Sequence, residues 1–336
     1  MLTPRENFQE TIKGGHPDRF VDQFEYIAPM IMTPVQAHRN SPKPGELNKV
    51  NDWGVTISWQ EGQPGAFPVH TPDKIVVQDI EDWKEYVKAP DLLDIPDAAW
   101  EPAQAQEEAT DRKSQYVTIF HAPGIFEQSH YLCEISNTLA ALYEYPDEMK
   151  DMYKYIADWE CHVADITCKY LHPDALFHHD DWGTQKSTFM APEMFAEFLV
   201  EPYKQVYGHW RELGVELIVH HSDSYAETLV PYMIEMGIDV WQGVMKSNDI
   251  PGMIEKYGDK INFMGGINSA EVDYEGWTPD VVEQRVREAC DWCGPYHFIP
   301  CGSQGGAMST FPGVYEEISK QINDYSPIYW KEHDLA

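Results

Sequence analysis

The sequence predicts a single (β/α)8 barrel of the TIM type over residues 1–336, with elaborated N-terminal loops. From Tyr116 onward, short runs of β-branched and aromatic residues alternate with longer amphipathic segments, which is typical of βαβ units around a parallel sheet. No linker-like segment divides the chain. With 43% hydrophobic residues, the chain has enough apolar material for one large core.

The N-terminal region predicts one helix followed by long loops. Thr3, Pro4 and Glu6 supply a capping residue, a proline at the first helical position and an acidic residue three positions after the cap. A helix over residues 4–13 is therefore expected. The sequence that follows is rich in Pro, Gly and Asn and contains a strand-like run at residues 54–59, which we interpret as loops around early strands.

Six later runs predict strands of the barrel, and each precedes a helical pattern: YVTIFH, ALFHH, ELIVHH, DVWQGV, INFMGGI and YHFIP. One helix start is expected at Pro192, and another at Ser224, which forms a capping-box sequence with Glu227. Pro202 and Pro231 fall inside helical patterns. Because proline removes a backbone donor, we expect both to bend their helices.

The charge of the chain excludes several classes of partner. With 24 Lys and Arg against 56 Asp and Glu, the formal net charge of −32 disfavours nucleic acid, anionic membranes and polyanionic ligands.

The N-terminus lacks the apolar segment of a signal peptide, and no run approaches the ~18 apolar residues of a membrane span. The six cysteines do not form a disulfide framework. We expect a cytoplasmic protein.

Polar residues collect where the predicted strands end. In a (β/α)8 barrel these ends meet at one face, where active sites lie. Asp180, Asp181 and Gln185 follow one strand and are the predicted catalytic residues. Because adjacent residues face opposite ways, we expect one aspartate to bind ligand and the other to cap a helix or form a pair.

Three further residues offer zinc chemistry. His221, Asp223 and Cys301 supply imidazole, carboxylate and thiolate, and a catalytic zinc needs three such ligands with one open position. Alternation along the strand sends one of His220 and His221 into the barrel wall, and we assign His221 to the pocket. Two alternatives stay open: Asp223 as a helix cap and Cys301 as a core cysteine.

Aromatic residues near the strand ends predict a pocket for an aromatic ring. Together such side chains would stack on a ring, although core packing is the alternative for each of them. The residues assigned to this pocket are His121, Phe126, Trp182, Tyr225, Trp241 and Phe311.

Four segments in combination are characteristic of one family: LTPRENFQETIKGGHPDR, HHDDWGTQKSTFMAPEMFAEFLVEPYKQV, HHSDSYAETLVPYMIEMGIDVWQGV and GDKINFMGGIN. The chain resembles the uroporphyrinogen decarboxylase superfamily nearly end to end, in the methyltransferase branch that serves corrinoid proteins. In that branch a His-x-Cys pair and a distant Cys hold zinc. The resemblance places His221 and Cys301 on two of these ligands and Asp223 where the first Cys stands. A carboxylate in place of a thiolate makes zinc harder, which suits polarising an oxygen.

The resemblance leads us to expect a zinc-dependent methyltransferase that moves a methyl group from a small O-methyl donor, a methoxylated aromatic, to the Co(I) of a corrinoid protein. The alternatives are transfer from a methyl-corrinoid to a thiol or folate, porphyrinogen decarboxylation, and a non-catalytic ligand-binding barrel. The decarboxylase is disfavoured because its Arg-rich N-terminal motif is replaced by FEYIAPMIMTPVQAHRN. The expected partners are a corrinoid protein and the methyl donor, and a homodimer is a possible assembly.

Overall fold

The computed structural model describes residues 1–38, 40–63 and 65–335. Its strands are β1 (Ile27–Met30), β2 (Lys49–Val50), β3 (Thr56–Ser58), β4 (Phe67–Pro68), β5 (Tyr116–His121), β6 (Ala175–His179), β7 (Leu217–His221), β8 (Val240–Val244), β9 (Asn262–Ile267) and β10 (Phe298–Gly302). One parallel sheet has the order β1-β5-β6-β7-β8-β9-β10, and β2, β3 and β4 form a small antiparallel sheet. The predicted fold class, a TIM-type barrel with elaborated N-terminal loops, is confirmed. In the described residues, seven strands form its sheet.

Helices follow the strands and cover the outside of the sheet. They are α1 (Pro4–Ile12), α2 (Pro34–His38), α3 (Trp83–Tyr86), α4 (Glu101–Ala109), α5 (Ile125–Cys133), α6 (Ile135–Glu144), α7 (Pro146–Tyr170), α8 (Pro192–Phe195), α9 (Glu201–Glu212), α10 (Val230–Met236), α11 (Ile250–Tyr257), α12 (Ser269–Val272), α13 (Pro279–Cys293) and α14 (Val314–Glu332). None of the helices described combines the length and apolar character that crossing a membrane requires.

The first helix has the predicted capping box. The Thr3 side chain accepts a hydrogen bond from the Glu6 backbone N–H, and the Glu6 carboxylate accepts one from the Thr3 N–H. On the buried face of α1, Phe8 stacks on Tyr26 with ring centroids 3.9 Å apart. Both rings belong to the core inside the barrel, so α1 is fixed to the barrel by apolar contact as well as by its cap.

All six strands predicted after residue 115 occur, as β5 to β10. They are buried on both faces, as expected for a parallel sheet covered by helices. Phe177 and Val219 belong to the core inside the barrel, whereas Leu176 and Ile218 belong to the core between the sheet and the helices. Successive residues of each strand therefore face two different environments.

The predicted capping box of Ser224 and Glu227 is wrong. Ser224 Oγ lies 2.6 Å from Ser222 Oγ instead. The backbone N–H groups of Ala226 and Glu227 donate to Asn248 Oδ1 at 2.9 and 3.0 Å. A side chain more than twenty positions away thus takes the role that the local sequence assigned to Ser224.

The two helical prolines behave differently. A π-helical turn, Ala196–Val200, precedes Pro202, so the helix departs from regular geometry there, as expected from the missing backbone donor. Pro231 lies in the first turn of α10, where its missing N–H removes no helical hydrogen bond. At this position proline fits a regular helix, so it gives no reason for the bend predicted at Pro231. Pro192 begins α8 as predicted.

We predict that Asn248→Ala lowers the free energy of unfolding by about 2–3 kcal/mol, because the buried N–H of Ala226 and the partly buried N–H of Glu227 lose their acceptor. The control is Asn137→Ala, an exposed amide with one hydrogen bond to a helix carbonyl, expected to cost less than about 1 kcal/mol. Urea unfolding followed by circular dichroism measures both. Equal losses would show that Asn248 does not stabilise this turn.

Candidate metal centre

The strand β6 ends in His178 and His179, and the neighbouring strand β7 ends in His220 and His221. Within each strand the two histidines face opposite sides of the sheet. His178 pairs in register with His220, and His179 with His221. The rings of His179 and His221 stack on the inner side, with centroids 4.4 Å apart. His178 and His220 point outward, toward Tyr207 on α9.

The inner histidines form a group with Asp181. One potential metal-ligating atom from each of His179, Asp181 and His221 lies within 4.8 Å of the other two. His221 Nε2 is 3.9 Å from Asp181 Oδ1, which is too long for a hydrogen bond but within the span of two zinc bonds of about 2.0–2.2 Å. The backbone N–H of Asp223 donates to the same Asp181 oxygen at 3.0 Å and steadies it.

Each inner histidine is oriented by a hydrogen bond at its Nδ1 atom. His221 Nδ1 hydrogen bonds to Gln242 Oε1, and His179 Nδ1 lies 3.0 Å from Glu127 Oε2. An imidazole that donates from Nδ1 keeps a lone pair on Nε2. Carboxylate and amide partners orient metal-binding histidines in this way. The donor set and its orientation therefore fit a divalent cation such as zinc.

A bulge in β8 positions Gln242. The register with β9 shifts between Gln242 and Val244, and Gly243 has a φ of 91°, in the left-handed region that favours glycine. A Cβ atom at Gly243 would lie 3.0 Å from the backbone of Ser222. The close approach of the two strands thus requires glycine and places the Gln242 amide beside His221.

Carboxylates crowd this face of the barrel. Burial raises the pKa of Glu127 well above its usual range, and the charges of Asp181 and Asp223 add to the shift. Burial, followed by the charge of Asp181, raises the pKa of Asp223 to about 6. Burial lowers the pKa of His221, and the neighbouring His179 lowers it further. A bound cation would relieve this mutual repulsion.

Of the three predicted ligands, only His221 belongs to this group; Asp223 lies beside it, with its backbone N–H donating to Asp181, and Cys301 lies apart. Cys301 lies fully buried in the barrel core, with Sγ 3.9 Å from Gln23 Oε1. Burial raises the pKa of its thiol and disfavours the thiolate that a metal needs. Among the described residues, Cys301 belongs to no group of three potential ligands. These surroundings fit the alternative in which Cys301 is a core cysteine. His179 and Asp181, and not Cys301, complete the group around His221.

Asp180 is a helix cap, which corrects its assignment as a catalytic residue. Its two carboxylate oxygens accept hydrogen bonds from the backbone N–H groups of Phe126 (2.7 Å) and Glu127 (2.9 Å) at the start of α5. The Tyr203 hydroxyl donates to it as well, and the side chain is fully buried. Gln185 lies exposed in the loop after β6, so its catalytic role stays a prediction.

Three predicted aromatic residues lie in the outer core. Trp182 stacks on His220 with ring centroids 3.8 Å apart. Trp241 packs against Phe263, and Phe126 is enclosed at the start of α5. All three predicted side chains are fully buried, so none has a free face for a ligand. For Trp241 the reason is alternation, since its neighbour Gln242 takes the inward position.

The other aromatic residues are also apart from the inner histidines. His121 is buried in the outer layer beside Glu160. The Tyr225 hydroxyl donates to Glu227 Oε1 at 2.8 Å. Phe311 is 44% exposed and remains available for a ligand or a partner.

Glu160 on α7 anchors a second group of ionisable residues, which sequence reasoning missed. Its Oε2 lies 2.8 Å from His178 Nε2, and its Oε1 lies 3.5 Å from His121 Nε2. Burial alone would raise the pKa of Glu160, but the charges of His178 and His121 outweigh burial and bring it to about 2. The group is fully enclosed between the sheet and α7.

This group continues as a chain of hydrogen bonds. Tyr207 Oη lies 3.2 Å from His178 Nδ1 and 2.7 Å from His220 Nδ1, and His220 Nε2 lies 3.1 Å from the Asp180 carbonyl oxygen. Burial lowers the pKa of His220, which favours its neutral form.

The chain matches the family model described as Uroporphyrinogen decarboxylase (URO-D) over residues 51–303. It therefore belongs to the uroporphyrinogen decarboxylase family, as the sequence segments predict. Among solved structures, a methyltransferase from Methanosarcina mazei has a similar fold, with a TM-score of 0.64 and 13% sequence identity over 97% of this chain and 99% of that chain. At this identity the likeness shows the fold alone. No curated protein matches the chain.

The two adjacent aspartates should respond differently to the same substitution. Asp181→Asn should weaken zinc binding by about tenfold or more, because it removes a charged ligand, and should change the stability of the metal-free protein little. Asp180→Asn should lower the free energy of unfolding by about 1–3 kcal/mol and leave zinc affinity unchanged. Competition with a chromophoric chelator and urea unfolding measure the two quantities. An equal loss of zinc affinity in both variants would contradict the assignment.

We also predict that Glu160→Gln destabilises the protein by about 3–5 kcal/mol at pH 7, because the buried carboxylate and its interactions with His178 and His121 are lost. The pKa of about 2 in the folded protein lies below the usual 4.5, so the carboxylate stabilises the fold above pH 4.5 and loses this effect as the pH falls toward 2.

The stability difference between wild type and Glu160→Gln should accordingly narrow between about pH 5 and pH 3, as measured by urea unfolding. Glu197→Gln, which breaks an exposed ion pair with Lys150, is the control and should cost less than about 1 kcal/mol. A stability difference between wild type and Glu160→Gln that stays constant over this pH range would contradict an ionised Glu160 carboxylate.

Proposed function

We propose that the protein is a zinc-dependent methyltransferase that moves a methyl group from a small O-methyl donor, a methoxylated aromatic compound, to the Co(I) of a corrinoid protein. The observation that carries this proposal is the group of His179, Asp181 and His221 at the carboxyl ends of β6 and β7. Each imidazole of the group is oriented by a hydrogen bond at its Nδ1 atom. Active sites of TIM-type barrels lie at this face. Membership of the URO-D family and the fold shared with a methyltransferase support it.

The ligand set favours an oxygen-containing donor. His179, Asp181 and His221 would hold the zinc, with the Asp223 carboxyl group near enough to interact electrostatically with all three. This set contains nitrogen and oxygen but no sulfur, whereas a site that activates a thiol is usually rich in sulfur. When bound, zinc supplies a Lewis acid that lowers the basicity of the ether oxygen.

The chain's own residues prepare the site for cleavage of the O–CH3 bond, in which the bonding electron pair stays on oxygen. Gln242, and Glu127 once a bound cation favours its carboxylate form, keep His221 and His179 in the tautomer that leaves Nε2 unprotonated. Asp181 is held by the Asp223 backbone N–H, so its carboxylate does not have to reorganise when the donor binds. Asp223 is the carboxyl group that we assign to returning a proton to the product oxygen.

Zinc content and methyl transfer test the proposal together. We expect His179→Ala and His221→Ala to lose bound zinc and methyl transfer, whereas Cys301→Ala should retain about one zinc per chain and most of the activity. Metal analysis after dialysis and transfer from guaiacol to a reduced corrinoid protein measure the two properties. Loss of zinc in Cys301→Ala with retention in His179→Ala would overturn the ligand set.

The same experiment separates the alternatives. A wild-type protein that binds no zinc and transfers no methyl group would favour the non-catalytic barrel. Transfer that occurs only from a methyl-corrinoid to a thiol or folate would favour the reverse reaction.

The net charge predicts a preference among donors. At −32, with Glu127, Asp181 and Asp223 at the site, the protein should demethylate an uncharged donor such as guaiacol faster than its carboxylated analogue vanillate. The gap should narrow as salt screens the field, since the Debye length is ~10 Å at 0.1 M ionic strength. Initial rates for both donors at two ionic strengths measure this effect. A preference for vanillate at low salt would contradict it.

A further inference from the structure

A cleft of about 180 Å³ opens beside His179, between the N-terminal sheet region and α5. Trp53 and Ile57 line it from the N-terminal side, and Gln128 and Tyr131 line it from α5. We call it the N-terminal cleft. Pockets for drug-sized ligands measure about 300–1,000 Å³, so this cleft admits a molecule of about one substituted ring.

Two hydrogen-bond donors on the wall residues of this cleft lack partners. Trp53 Nε1 and Gln128 Nε2 are both buried, and neither has a hydrogen-bond partner among the residues that the structure describes. A buried donor without a partner costs about 1–3 kcal/mol, and native proteins contain few of them. Two such donors, each on a residue that lines the same small cleft, favour a ligand that carries acceptor oxygens.

The position of the cleft connects it to the candidate metal centre. His179 and Glu127 also line it, and they are hydrogen bonded to each other at 3.0 Å. A molecule in the cleft is therefore in contact with one of the proposed zinc ligands. The remaining wall is largely apolar, with Ile57, Ala66 and Pro123, which suits the flat face of a ring.

We propose that the N-terminal cleft binds the ring of the methyl donor and selects a methoxyarene with a second, uncharged oxygen substituent. Trp53 Nε1 and Gln128 Nε2 donate to that second oxygen, while the methoxyl group is directed toward His179. Both nitrogen atoms are covered by neighbouring atoms, so the proposal requires the Trp53 and Gln128 side chains to turn toward the cleft when the ring binds. The inference rests on the proposed function and adds the residues that select the donor.

Binding of two probes to the full-length protein tests this inference without a turnover assay. Guaiacol carries a second oxygen, and anisole is the same ring without it. We expect guaiacol to bind at least about tenfold more tightly than anisole, because a site built to donate hydrogen bonds rejects an analogue that lacks the acceptor. Isothermal titration calorimetry measures both affinities.

Near-isosteric variants then assign the effect to the cleft. Gln128→Leu and Trp53→Phe should each weaken guaiacol binding by about tenfold and change anisole binding by less than about twofold. Gln205→Leu, which alters an exposed amide on α9, is the matched control and should change neither affinity. Circular dichroism confirms that each variant is folded.

A cavity-filling variant keeps the test valid if either near-isosteric variant fails to fold. Ala66→Phe places a ring in the cleft from a partly exposed position and should abolish binding of both probes. Unchanged guaiacol binding in Gln128→Leu, or in Ala66→Phe, would overturn the inference. If guaiacol binds as expected but no methyl group is transferred, the cleft stands as a ligand site and the proposed function fails.

Discussion

Alternation of side chains along a parallel strand is the constraint on which both ionisable groups depend. Successive residues face opposite sides of the sheet, so His179 and His221 meet inside the barrel while His178 and His220 enter the layer beneath α7 and α9. The register of β6 with β7 aligns both pairs. A shift of one residue in either strand would exchange an inward for an outward histidine and destroy both groups together.

Asp180 connects these two groups across the sheet. Its backbone carbonyl ends the hydrogen-bond chain that begins at Glu160, and its carboxylate accepts the backbone N–H of Glu127. Glu127 in turn contacts His179 Nδ1. Hydrogen bonds and backbone therefore join the inner histidine to the group around Glu160 on the opposite side of the sheet.

Local features of the sequence were sufficient for the fold but only partly for the site. The strands and the Thr3 cap depend on neighbouring residues, whereas the turn capped by Asn248 depends on a contact over more than twenty positions. His179 was missed although ALFHH repeats the pattern of ELIVHH, and applying the alternation rule to Trp241 would have sent it outward. The chemistry of the strand ends and the family resemblance both point to Cys301, and only the structure shows its enclosure in the barrel core.

Charge links the composition of the chain to the chemistry of its site. A protein with a net charge of −32 repels anionic ligands at long range, yet its candidate centre gathers Glu127, Asp181 and Asp223 beside two imidazoles. Such crowding is unfavourable without a cation and favourable with one, because the cation interacts with every carboxylate at once. The same carboxylates would repel a charged donor. The tightly bound cation and the uncharged donor that we propose are therefore two consequences of one electrostatic arrangement.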